Sequence, residues 1–168
     1  MDLVLDGMII ERRAVQVDLP PEHLFRVFTG LGGERGWLYM NWAWKIRGAL
    51  DLLAGGPGFR RGRRDPDHLR PGDSLDFWRV EAVEPDRLLR LRAEMKVPGR
   101  AWLQFEAQPH DGGSLLIQTS SFLPRGLAGH LYWYALYPVH AAVFGNLVRC
   151  VAERARSLAR VALPRSAP

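Results

Sequence analysis

The stretch RLLRLRAEMKVPGRAWLQFEAQPHDGGSLLIQTSSFL, residues 87–123, decides the fold. Apolar and polar residues alternate along it with a period of two, the mark of half-buried strands. Over residues 87–96, Leu89, Leu91, Ala93 and Met95 share one face, and Leu88, Arg90, Arg92 and Glu94 share the other. Pro98-Gly99 is a turn. Over residues 101–109, Ala101, Leu103, Phe105 and Ala107 oppose Trp102, Gln104 and Glu106. His110-Asp111-Gly112-Gly113 is a hairpin signal, because Asp and Gly accept the positive φ of tight turns. Residues 114–123 follow with Leu116, Gln118, Ser120 and Phe122 assigned inward, although Leu115 and Ile117 make the opposite face apolar as well. Upstream, residues 75–84 read as a strand ending at Glu84-Pro85-Asp86. Trp78, Val80 and Ala82 are expected to face inward, and Phe77, Arg79, Glu81 and Val83 outward. Four strands joined by tight turns make an antiparallel meander.

The flanks supply the partners of that sheet. Residues 8–18 form a first strand in which Val15 and Val17 alternate with Gln16 and Asp18. Pro20-Pro21 opens a short helix carrying Leu24, Phe25 and Phe28, because the first helical turn does without the proline N–H. Glycines 30, 32 and 33 end it. A second helix starts at Asn41, a candidate N-cap, with Trp42, Ile46, Ala49, Leu50 and Leu53 at helical spacing and Gly55-Gly56-Pro57 as the stop. The chain closes with a helix from about Gly126 to Arg160, with Leu127, Leu131, Tyr134, Ala141, Phe144, Val148, Val151 and Ala155 read as one face and Pro138 as a kink. This order predicts a single α+β domain over residues 1–168, with a curved antiparallel sheet wrapped around the final helix.

Composition bounds the function. The chain has 168 residues, of which 47% are hydrophobic, which gives one domain a full core and excludes disorder. A single cysteine, Cys150, permits a reducing compartment, and the acidic first residues are unlike a secretory signal, so a cytoplasmic location is expected. The five histidines lie far apart and no Cys-x-x-Cys occurs, so no metal and no cofactor is expected. Net charge is +5 with the arginines spread along the chain, which argues against nucleic acid. The run Arg60, Arg61, Arg63 and Arg64 behind Phe59 could hold phosphate, but Asp65 and Asp67 blunt it. Residues 127–148 carry no charged side chain and are long enough to span a bilayer; the sheet's need for a central element favours a buried helix, with transient membrane-surface contact near Arg125 to Trp133 as the lesser alternative.

Several strings carry a resemblance. They are Ile10-Glu11-Arg12-Arg13, Gly32-Gly33-Glu34-Arg35-Gly36-Trp37, Gly72-Asp73 with Asp76-Phe77-Trp78-Arg79-Val80-Glu81, Leu91-Arg92-Ala93-Glu94-Met95-Lys96, Pro124-Arg125-Gly126-Leu127, and Leu131-Tyr132-Trp133-Tyr134-Ala135 with Pro138 and His140. Together, over about Ile9 to Arg156, the chain resembles an uncharacterised bacterial family often fused behind a nucleoside-diphosphate-sugar epimerase-like, NAD(P)-binding domain. That family belongs to the START and polyketide-cyclase-like (SRPBCC) helix-grip superfamily. The resemblance implies a sheet gripping a C-terminal helix over a hydrophobic cavity, and a dinucleotide-binding partner domain or protein. It also implies six or seven strands, so one or two are expected between Ala54 and Asp73. No dinucleotide-binding motif follows a strand here, since Gly30-Leu31-Gly32-Gly33 follows a helix.

The inward set mixes apolar bulk with hydrogen-bonding groups, which suits a small-molecule cavity. Its expected wall is Trp78, Leu91, Met95, Leu103, Phe105, Gln118, Ser120 and Phe122 on the sheet, and Trp133, Tyr134, Tyr137, Ala141 and Phe144 on the helix. The loop Gly30–Trp37 and the helix from Asn41, bearing Trp37, Tyr39, Trp42 and Trp44, are the candidate lid, with core packing as the competing role for the tryptophans. Binding of an apolar or amphipathic ligand (lipid, polyketide or isoprenoid-like) is the leading expectation. The alternative is a cofactor-free cyclase, dehydratase or isomerase, whose only acid–base candidates are Asp76, Glu94 and His140.

Overall fold

The computed structural model describes residues 3–5, 7–53, 55–56, 58, 63–65 and 67–162. In chain order its elements are β1 (Leu3–Leu5), β2 (Met8–Val17), α1 (Pro21–Thr29), α2 (Asn41–Leu53), β3 (Ser74–Leu75), β4 (Trp78–Glu84), β5 (Leu88–Ala93), β6 (Gly99–His110), β7 (Gly113–Pro124) and α3 (Gly126–Ala162). The strands make one antiparallel sheet in the order β1-β2-β7-β6-β5-β4-β3. The long first strand β2 thus pairs with the last, β7, and the meander runs on from there. Both outer strands are very short, three residues for β1 and two for β3.

Period-two alternation gives the core face correctly in the long strands. Leu89 and Leu91 of β5, Leu103, Phe105 and Ala107 of β6, and Leu116, Gln118, Ser120 and Phe122 of β7 are all buried. The α+β helix-grip expectation holds: the curved sheet packs on α3, whose second half buries Leu147, Val148, Val151, Ala152 and Ala155. α1 fills the remaining space with Leu24 and Phe28, and Phe28 stacks on Phe105 at 5.6 Å between centroids.

Four expectations need correction. The strand expected over 75–84 is two strands, because Asp76 takes a left-handed conformation (φ 55°) and turns the chain between Leu75 and Trp78. Phe77 in that turn is fully buried rather than outward. A register shift between Val80 and Ala82 then reverses the parity, so Val83 packs against the core opposite Leu89. The extra strands are β1 and β3, and no strand occurs between Ala54 and Asp73 among the described residues.

The buried face of α2 and of the first half of α3 is rotated from the expected one, whereas Phe144, Val148, Val151 and Ala155 of α3 are buried as expected. In the first half of α3, Leu127, Leu131 and Tyr134 point to solvent, and Gly129 and Trp133 are buried. In α2, Trp44 and Asp51 are buried while Trp42, Ile46, Leu50 and Leu53 are exposed. The Asn41 Oδ1 accepts the Trp37 backbone N–H at 2.8 Å and so ties the preceding loop to the start of α2.

The basic segment falls partly on Phe59, Arg60 and Arg61, which lie outside the described residues. Arg63 donates to the Thr29 and Leu31 carbonyls, and Arg64 pairs with Asp73 at 3.0 Å, so these two hold the protein itself together. By length and composition α3 could cross a membrane. Its second half instead buries one face in the domain and carries Arg149, Glu153 and Arg154 exposed on the other.

Candidate ligand cavity

A cavity of about 430 Å³ lies at one end of the sheet, between α2 and the first half of α3. Its floor comes from Trp78, Met95, Val97, Ala101, Trp102 and the run Ser120 to Phe122. Trp133, Leu136, His140, Val143 and Phe144 of α3 make one wall, and Met40, Trp44 and Arg47 make the other. Trp42, Ile46 and Leu50 of α2 and Val139 of α3 also line it, and each is at least half exposed, so they form its rim.

The hinge of this arrangement is the turn at Asp76. Its buried carboxylate accepts the Trp37 indole N–H at 2.7 Å and the Gly33 N–H at 3.1 Å. A Cβ on Gly32 (φ 80°) would strike Leu75 and Asp76 at 2.8–3.0 Å, so a glycine lets the loop close there. Trp37 is thereby held against Trp44 (5.1 Å), Trp78 (6.2 Å) and Phe77 (6.5 Å). Leu31 and Trp37 of the loop Gly30–Trp37 are therefore core, and no residue of that loop lines the cavity among the described residues. α2 is fixed by Trp44, by the Arg47–Tyr132 hydrogen bond, and by Asp51, which accepts the N–H groups of Lys96 (2.7 Å) and Gly58 (2.9 Å).

The expected wall residues divide into three groups. Trp78, Met95, Ser120, Phe122, Trp133 and Phe144 line the cavity. Leu91, Leu103, Phe105 and Gln118 are fully buried in the packed core beside it, where Gln118 donates to the Phe144 carbonyl at 3.1 Å. Tyr137 and Ala141 are half-buried without lining it, and Tyr134 is 63% exposed. Sequence reasoning missed the α2 wall and Arg47. The spacing of Trp42, Ile46 and Leu50 is the signal that could have found them, but it reads equally as a core stripe.

Of the acid–base candidates, only His140 enters the cavity. Asp76 is engaged with the loop, and Glu94 forms a two-point ion pair with Arg79 at 2.9 and 3.0 Å outside the cavity. The His140 ring lies between Trp133 (5.6 Å) and Phe144 (5.8 Å), and its Nδ1 is buried without a hydrogen-bond partner among the described residues. Burial, aided by the nearby Arg47 charge, lowers its pKa from 6.5 to about 4, so the ring is neutral at pH 7. The unfolded chain binds this proton near pH 6.5 and the native chain only near 4. The stabilising effect of the neutral ring is therefore complete above 6.5 and lost as pH falls towards 4. Between pH 7 and 4 the wild type should lose on the order of 3 kcal/mol more stability than His140→Phe. Urea unfolding at the two pH values measures this, and equal losses would contradict the placement of the ring.

A twisted antiparallel sheet closed over a C-terminal helix, with an apolar hollow at one end, is the helix-grip fold, the architecture of START and polyketide-cyclase proteins. More narrowly, a profile of the family described as "Protein of unknown function (DUF2867)" matches residues 7–147, and the chain belongs to that family. No curated protein matches the sequence. Among solved structures, the chain is similar to a protein of unknown function, SA2116, from Staphylococcus aureus (TM-score 0.57, 9% identity, 91% of this chain and 96% of that one). It is also similar to the Zhui aromatase/cyclase from Streptomyces sp. R1128 (0.55, 17%, 92% and 98%). A third is the truncated norcoclaurine synthase from Thalictrum flavum (0.52, 9%, 87% and 92%). At these identities the likeness is one of fold.

Proposed function

We propose that the protein binds an apolar or amphipathic small molecule, such as a lipid, polyketide or isoprenoid-like compound, in the cavity between α2, α3 and the sheet. One observation carries this reading: a hollow of about 430 Å³ whose wall is almost wholly aliphatic and aromatic. Such a volume suits a small ligand, and each buried CH₂ would add about 0.8 kcal/mol. Mild purification followed by native mass spectrometry should reveal a co-purified apolar compound. A large side chain at the floor, as in Ala101→Phe, should remove it while far-UV circular dichroism is kept. Retention of the compound by that variant would count against the site.

Transient contact with a membrane surface through the apolar rim, a cytoplasmic location, and a dinucleotide-binding partner domain or protein are parts of the same proposal, the last resting on the family resemblance. A second reading, a cofactor-free cyclase, dehydratase or isomerase, is favoured by one observation, the entry of His140 into the cavity. Incubation with apolar extracts, followed by mass spectrometry, tests it: conversion by the wild type that is absent in His140→Gln supports catalysis.

A further inference from the structure

The charge around the cavity is one-sided. Arg47 is the only charged side chain that lines it, and no Asp or Glu does among the described residues. The Arg47 guanidinium donates to the Tyr132 hydroxyl and lies over the Tyr132 ring, 5.4 Å from its centre. A phenol gives it an acceptor but no countercharge. Asp51, one turn along α2, is the nearest carboxylate in sequence, and it is buried on the Lys96 and Gly58 N–H groups without an ion pair to Arg47. Arg47 is thus a half-buried cation at an apolar wall with no anionic partner among the described residues.

Ser120 and His140 line the same wall. A hydrogen bond to a charged donor is stronger than one between neutral groups, so an ionised acceptor gains most from Arg47. A cationic ligand would meet Arg47 with only the charge of Asp51 nearby, and that carboxylate is already engaged by the Lys96 and Gly58 N–H groups. A purely hydrocarbon ligand would leave the guanidinium without a countercharge.

We infer that the ligand is an apolar molecule carrying an anionic oxygen group, a carboxylate or an ionised acidic phenol, which Arg47 holds at the α2 side of the cavity with the Tyr132 hydroxyl beside it. This rests on the binding reading above and narrows it to one chemical class. The apolar body would lie on Phe122, Trp133 and Phe144. Arg47, braced by Tyr132, would fix which end of the molecule faces the rim.

The test uses N-phenyl-1-naphthylamine as a neutral fluorescent occupant, displaced by either decanoate or decan-1-ol, which share a chain and differ in the head group. Near pH 7 decanoate is ionised. Wild type is expected to prefer decanoate. Arg47→Met keeps the aliphatic stem and should lower the decanoate-to-decanol affinity ratio by about ten- to hundred-fold. Arg47→Lys should keep part of the preference. Equal displacement by the two competitors in the wild type overturns the anion inference and leaves the cavity reading standing. So does an unchanged ratio in a folded Arg47→Met, and the wild-type comparison decides if that variant does not fold. Failure of the naphthylamine to bind at all overturns the cavity reading itself.

Discussion

Asp76→Ala is expected to destabilise the protein by about 3–5 kcal/mol. The carboxylate is 1% exposed and holds two donors from the preceding loop, the Trp37 indole and the Gly33 N–H. Removing it leaves the buried Trp37 indole and the half-buried Gly33 N–H without this acceptor. Alanine also takes poorly to the left-handed backbone at this position, which aspartate tolerates better. The loss should spread, because Trp37 is the ring on which Trp44, Phe77 and Trp78 are assembled. Urea unfolding gives the magnitude, and near-ultraviolet circular dichroism reports the tryptophan cluster. A change below about 1 kcal/mol would mean that the loop is held by something else. Asp76→Asn should fall between the two, since it keeps the shape and one acceptor oxygen.

Phe105→Ala is expected to cost a comparable amount, about 3–5 kcal/mol, by another route. The ring is fully buried in the middle of β6, stacked on Phe28 and flanked across the sheet by Leu89 and Gln118. Truncation opens a void under α1 that rigid neighbouring strands cannot close. Because the ring lies in the packed core beside the cavity, ligand affinity should change far less than stability. Thermal unfolding and naphthylamine binding, measured on the same variant, separate the two. A large loss of binding at unchanged stability would move Phe105 into the cavity wall.

Much of the architecture is legible in the sequence because the long strands alternate cleanly. Charges at Arg90, Arg92 and Glu106 mark the outer face, which places Leu89, Leu91, Leu103 and Phe105 inside. Two features escape that logic. The turn at Asp76 interrupts a run that alternates as a strand would, and left-handed backbone at an aspartate has no strong signature in one sequence. The register shift before Ala82 then reverses the parity of the rest of β4. The helix faces fail for a different reason. Residues 127–139 contain no charged side chain, so nothing in the pattern distinguishes Trp133, which is buried, from Leu131 and Tyr134, which are not. In α2 the apolar stripe is visible, but a stripe that lines an opening has the same spacing as one that packs. The cavity itself depends on this rotation, and so its α2 wall, Arg47 included, emerges only in three dimensions.

The brevity of β1 and β3 leaves much of the adjoining strand open at each flank. β1 pairs only Met8, Ile9 and Ile10 of β2, and β3 only Trp78 and Arg79 of β4. Beyond them, residues 11–17 and 81–84 have no strand beside them on that side among the described residues. Glu11, Arg12 and Arg13 on one flank and Glu81 and Glu84 on the other put charges there, which disfavour pairing with a foreign strand. Copies of this protein that adhere to one another are therefore expected to do so through greasy helical surfaces rather than by extending the sheet, and such clusters should disperse in mild detergent.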